Sequence, residues 1–203
     1  MFTPERVIQI ELDLGADIIM PLDECIPYPA DETYAAKSCE VTLRWAERSM
    51  EEHERLASGA SMLFGICQGS VYKGLRERVT ERMVSMDFPG YSIGGLAVGE
   101  SKDDMFGMVA LSTAVLPREK PRYLMGVGFP DDIVESVARG VDMFDCVMPT
   151  RNARNGTVFT WDGKLVLKNA HQSRIFEPID SGCRCPACLN YTRAYIRPLF
   201  QAG

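Results

Sequence analysis

The chain reads as an α/β protein built on a parallel sheet with helices covering both faces. Three observations predict this. Short apolar runs without polar alternation recur along the first 149 residues. A segment of helical period follows most of them, and continuous apolar strands alternating with helices imply a parallel sheet. Finally, Asp23, Gln68, Gly95, Gly126 and Asp145 all fall at or just past the carboxyl end of an expected strand. Both (β/α) barrels and open doubly wound sheets carry their ligands on that rim, so periodicity leaves the choice between them open.

Thr3-Pro4 opens the first helix, with Thr as N-cap and Pro in the first turn. Val7, Ile10 and Leu14 form its expected apolar stripe, and Gly15 closes it. Asp17 to Leu22 reads as a buried strand that leads to Asp23-Glu24-Cys25. After the Pro27-Tyr28-Pro29 turn comes a long helix, about Glu32 to Leu56, with Leu43, Ala46 and Met50 on one side. Met62 to Cys67 is the next strand, and Leu75, Val79 and Met83 mark the helix after it. Tyr91-Ser92-Ile93 ends at Gly94-Gly95, and Ser101 caps a helix through about Leu116. Arg122 to Met125 ends at Gly126, Pro130 to Arg139 is a short helix closed by Gly140, and a strand over Asp142 to Met148 stops at Pro149. Asp162-Gly163 between Thr157 to Trp161 and Lys164 to Lys168 signals a two-residue hairpin loop. Tyr191 to Phe200 is a helix interrupted by Pro198.

Composition narrows the function. The 203 residues are 46% hydrophobic and 25% charged, a globular balance. No long apolar run or signal peptide is visible, which points to a cytoplasmic protein without a membrane partner. The net charge of −6 argues against a generic nucleic-acid binder. The distribution softens that: Thr150 to Gly203 carries eight Lys/Arg and three Asp/Glu, a net of +5, against −11 for the rest. The basic quarter begins in Val141 to Gly156, where Asp145 sits in an apolar run just ahead of Arg151, Asn152, Arg154 and Asn155. A carboxylate in a buried strand is costly unless it has partners or a task, and the arginines and asparagines suit phosphate oxygens. Seven cysteines are present, and Cys183, Cys185 and Cys188 cluster as C-x-C-x-x-C. That spacing suits reduced thiols around zinc better than a disulfide framework.

DMFDCVMPTRNARNG, from Asp142 to Gly156, resembles the signature of tRNA-guanine transglycosylases. PLDEC (Pro21 to Cys25), FGICQG (Phe64 to Gly69), IGGLAVGE (Ile93 to Glu100), RYLMGVG (Arg122 to Gly128) and CRCPAC (Cys183 to Cys188) match in the expected order. The resemblance implies a TIM (β/α)8 barrel with a C-terminal zinc-binding subdomain. Here it would be incomplete, the N-terminal strands and a second functional Asp, the general acid/base, lying outside these residues. Residues 1–156 would be the partial barrel carrying the active site, and 157–203 the hairpin and zinc subdomain.

The activity so implied is exchange of the wobble guanine of tRNA anticodons for 7-aminomethyl-7-deazaguanine, a step of queuosine synthesis. Asp145 would be the nucleophile that holds the RNA covalently while the bases exchange. Asp23 and Gln68 would read the guanine edge, the backbone N–H of Gly95 its carbonyl, and Leu96 and Ala97 would offer a backbone carbonyl to the aminomethyl group. Cys25 and Val98 match the bacterial members, and Met125 completes the base site. Gly126, Val127, Gly128, Phe129, Pro130, Asp131 and Asp132, with Thr150, Arg151, Asn152, Ala153 and Arg154, would contact the anticodon loop of the tRNA. Zn2+ would be structural, held by Cys183, Cys185 and Cys188 with a fourth ligand beyond Gly203, and the enzyme a homodimer. The alternatives are a non-catalytic tRNA-binding paralogue or subunit, and an inactive fragment.

Overall fold

Six short strands make the parallel frame of the first of two compact units, Met1–Cys146. They are Ile18–Ile19 (β1), Met62–Leu63 (β2), Gly65–Cys67 (β3), Tyr91–Ile93 (β4), Arg122–Leu124 (β5) and Met143–Phe144 (β6). The structure is a computed structural model, and its described residues are 1–56, 59 and 61–202. β1 pairs with β2, and β3-β4-β5-β6 form a second sheet in chain order, every pair parallel. The single strand expected over Met62 to Cys67 is split at Phe64. Its N–H bonds Ile19 O at 3.0 Å on one side, whereas the N–H of Gly65 bonds Gly90 O at 3.0 Å on the other. The strand over Asp142 to Met148 is also shorter than expected, because Met148 already starts a helix.

Helices fill the crossovers: Pro4–Asp13 (α1), Glu32–Leu56 (α2), Lys73–Ser85 (α3), Lys102–Val115 (α4) and Pro130–Val137 (α5). The Thr3 side chain caps α1 at Arg6 N, 3.2 Å, and Ser101 caps α4 at Asp104 N, 3.1 Å. The expected stripe of α1 is rotated. Pro4 and Ile8 are buried and Leu12 packs beside them, an i, i+4 row, while Leu14 is exposed. On α2, Cys39, Leu43 and Ala46 are buried, and on α3 Leu75, Val79 and Met83. These side chains meet Ile19, Leu63, Tyr91, Ile93 and Leu124 of the strands in one core. Each fully buried Leu, Ile or Met contributes about 1.5–3 kcal/mol relative to exposure.

The second unit runs from Val147 to Gly203. It holds Met148–Arg154 (α6), a hairpin of Thr157–Thr160 (β7) and Gly163–Val166 (β8), a 3-10 turn at Ala170–Arg174, Pro186–Asn190 (α7) and Arg193–Ala202 (α8). The hairpin loop lies one residue earlier than expected. Thr160 pairs with Gly163, so Trp161-Asp162 form the tip, and Gly163 brings its φ of +109° to the first position of β8. Helix α8 continues through Pro198 rather than breaking there. Its first turn is anchored by Arg193 N to Glu177 O, 2.9 Å, and by Tyr191 stacked on Tyr195 with ring centroids 5.2 Å apart. Among the described residues, no helix is long and apolar enough to cross a membrane.

Candidate active site

The turns that follow β1, β3 and β4 bring three sequence-expected residues together. Gln68, 1% exposed, donates from Nε2 to Asp23 Oδ2 at 2.7 Å. Its Oε1 has no hydrogen-bond partner among the described residues. A buried acceptor left open is expensive, so this oxygen awaits a donor. Desolvation raises the Asp23 carboxyl above its ordinary value, opposed by the Gln68 amide. Gly95, with φ of +67°, lies against Gln68, where any Cβ would collide with Oε1. A Cβ on Gly94 would stand 2.8 Å from Gln68 Nε2. Both glycines are thus required by close approach to the amide. Cys25 lies at the surface with its thiol raised, first by desolvation and then by the Asp23 charge.

Leu96 is buried and Ala97 exposed, Ala97 in the left-handed region at φ of +58°. Glu100 accepts the N–H of Ala97 at 2.5 Å and of Val98 at 3.0 Å. In a planar trans peptide the Leu96 carbonyl therefore points away from Glu100, free to accept elsewhere.

Asp145 follows β6 directly. It is exposed, not buried in a strand as its apolar surroundings suggest, because the strand ends at Phe144. Its Oδ1 accepts the Tyr123 hydroxyl at 2.6 Å and the Gly126 N–H at 2.9 Å. Burial and then this bond push the Tyr123 hydroxyl well above its usual value, so it stays a donor. Tyr123 pairs with Met143 in the sheet register, and Asp145 is two residues on, so both present to one face. Gly126 turns with φ of +77°, Met125 is half-buried, Val127 is buried and Gly128 packs against Cys146, where a Cβ would collide. Phe129 is exposed ahead of Pro130, and Lys102 binds Asp131 at 2.9 Å and Asp132 at 2.6 Å. Those two carboxylates are thus matched to a cation already present.

In the second unit, Thr150, Arg151, Asn152, Ala153 and Arg154 lie on α6. Arg151 and Arg154 are exposed, and among the described residues neither guanidinium forms an ion pair. Cys183, Cys185 and Cys188 keep their sulfurs within 4.8 Å of one another, and among the described residues no fourth ligand joins them. Thiolates around zinc sit about 3.8 Å apart for ~2.3 Å bonds in a tetrahedron, so the donor set fits that metal after a small contraction.

Sequence reasoning missed Tyr123, Glu100 and Arg76. Tyr123 carried a signal, a hydroxyl inside an apolar strand. Arg76 also did, since it shares the α3 face of Leu75, Val79 and Thr80.

Comparison with known proteins gives a consistent answer. The family model described as queuine tRNA-ribosyltransferase matches residues 1–203. The chain is similar to proteins named queuine tRNA-ribosyltransferase from a Thermoanaerobacter species (58% identical over 202 residues, 100% of this chain and 53% of the relative). It is also similar to those from Caldanaerobacter subterraneus (57%, 99% and 53%) and Listeria monocytogenes (56%, 98% and 52%). The chain spans about half the length of the curated relatives it matches. With a match over its whole length, the chain belongs to the queuine tRNA-ribosyltransferase family.

Proposed function

We propose that this chain is the nucleophile-bearing part of a tRNA-guanine transglycosylase, a pentosyltransferase that exchanges the wobble guanine for 7-aminomethyl-7-deazaguanine. The observation that carries the reading is the pair of sites within one unit. A base reader is built from Asp23, Gln68 and Gly95, and an exposed carboxylate, Asp145, is aimed by a hydroxyl and a backbone N–H. A guanine edge offers N–H donors beside a carbonyl. Asp23 and the open Gln68 Oε1 accept from such donors, and the Gly95 N–H can meet the carbonyl.

In the first displacement, Asp145 gives an electron pair to C1′ of the ribose. The C1′–N9 bond breaks, and its electrons leave with guanine, which takes a proton at N9 from the general acid/base that the family resemblance implies. The incoming base then gives its N9 proton back to that group, attacks C1′ and frees Asp145, with overall retention. Recognition of a base in this way needs the nucleotide out of its stack. Leu96 and Ala97 face the aminomethyl group, with Cys25, Val98 and Met125 bounding the base. The backbone from Gly126 to Asp132, and Thr150 to Arg154 on their own unit, contact the anticodon loop. The sheet belongs to a (β/α)8 barrel; strict sequential order supports this, since a doubly wound sheet reverses order at a switch point. Zn2+ bound by Cys183, Cys185 and Cys188 cross-links the subdomain and takes no part in the exchange. The enzyme acts as a cytoplasmic homodimer.

The test is incorporation of labelled guanine into an anticodon stem-loop RNA by the full-length protein, with this chain alone alongside. Incorporation with transient RNA–protein adduct is the expected result. A folded, zinc-loaded protein that binds the RNA without exchanging label would overturn it in favour of a non-catalytic subunit.

A further inference from the structure

Arg76 is 0% exposed, yet among the described residues no carboxylate pairs with it. It is also the fourth residue of α3, where the helix dipole disfavours a cation. Burial lowers its pKa to about 10, which still leaves it charged at neutral pH. A bare buried charge in this setting is destabilising unless its hydrogen bonds are all used well.

The guanidinium spends those bonds on main-chain carbonyls. Nε donates to Ser70 O at 2.9 Å, Nη1 to Cys67 O at 3.3 Å and Nη2 to Gly94 O at 3.1 Å. Cys67 and Gly94 each directly precede a base-reading residue, Gln68 and Gly95. The Cys67 carbonyl also accepts the Gly94 N–H at 3.0 Å, so both strand ends meet at this one group. Nη2 would lie 3.9 Å from a Cβ on Gly95, directly behind the turn. Ser70 holds a φ of +48°, and a Cβ on Gly69 would fall 2.5 Å from the Arg76 Cα. The turn carrying Gln68 is therefore pressed onto the helix that carries the arginine.

We propose that Arg76 is a positioning residue for base recognition, its planar fork fixing the spacing between the Gln68 amide and the Gly95 N–H. This rests on the reading of those two residues as the base reader. The rigid fork matters: a lysine ammonium presents its donors from a single point and spans only part of the three carbonyls.

The test measures guanine binding by calorimetry, tRNA binding and melting temperature, in the full-length protein, for wild type, Arg76→Lys, Gln68→Ala and the double variant. Arg76→Lys is expected to weaken guanine binding about tenfold or more, with tRNA affinity within about twofold and folding retained. In the Gln68→Ala background it should add less than about twofold, because the residue it acts through is gone. Guanine binding unchanged by Arg76→Lys would overturn the proposal, as would losses that multiply fully in the double variant. If Arg76→Lys does not fold, Arg76→Gln is measured the same way. Failure of both to fold would make Arg76 a general staple and sink the idea. Label exchange by the wild type, run separately, reports on the proposed activity itself. A wild type that binds guanine but exchanges nothing would refute that activity and leave Arg76 still decided by the binding data.

Discussion

Asp23 and Asp145 stand on the same rim of one unit, and their surroundings are opposite in kind. Asp23 is half-buried, its ionised form disfavoured by desolvation, and its partner is a neutral amide. Asp145 is exposed and held by two donors, a hydroxyl and a backbone N–H, on a single oxygen. The second oxygen is left for other business. A discriminating group gains from a dry setting, where each unmatched bond is costly. A nucleophile gains from access and from donors that fix its direction without neutralising it. On the proposed reading, the chain separates the two tasks by giving each carboxylate its own strand end.

The sharpest way to break this contrast is Asp145→Asn in the full-length protein. Exchange should fall to background, a loss on the order of 10⁴-fold or more, while guanine binding stays near wild type. Near-normal turnover would refute the nucleophile assignment. Next comes Gly95→Ala, which forces a Cβ into Gln68 Oε1 at a backbone angle that disfavours side chains. The expected effect is about a hundredfold weaker guanine binding, since recognition bonds of this type discriminate by roughly 10²-fold or more. An alanine variant that binds guanine normally would mean the close approach does not matter.

Tyr123→Phe tests the other carboxylate's support. One bond to a charged group is lost, worth about 1.5–3 kcal/mol, so kcat should drop about tenfold or somewhat more with KM for guanine unchanged. A rise in KM instead would place Tyr123 with the base reader.

The smallest effect concerns stability. The Asp23 carboxyl is raised from 3.8, so the folded state holds that proton more tightly than the unfolded chain. Its stabilising contribution is complete below about 3.8 and is lost as pH rises through the raised value. Asp23→Asn should therefore melt on the order of 2 °C higher than wild type at neutral pH, the advantage shrinking toward pH 4 while guanine binding falls. Equal melting curves at both pH values would show that desolvation at Asp23 is not felt.

Much of this was legible in the residues, and the gaps have physical causes. The helix over Glu32–Leu56 and the strand Tyr91–Ile93 follow the apolar period closely. Asp23, Gln68 and Gly95 announced themselves as polar or glycine residues ending apolar runs, and they do converge. The exposure of Asp145 was hidden because an apolar run does not say where pairing stops; here Met148 starts a helix too soon for the strand to continue. The stripe on α1 was misplaced by one residue because both 3- and 4-residue spacings were available. The place of Arg76 on the buried face of α3 was readable, but its role was not, because its partners are main-chain carbonyls, which every residue owns and no composition reveals.

The strictly sequential parallel order has a consequence for how the chain is made. β2 pairs with β1, and β4, β5 and β6 each pair with the strand synthesised just before, every time across a connection that contains a single helix. Loop closure is then short at every step, and no strand waits for a distant partner. A chain emerging from the ribosome can add its strands one at a time, in the order of translation. Stalled nascent chains of increasing length should gain protease protection in steps, one for each newly exposed strand and helix. A single late step would show that the sheet closes only as a whole.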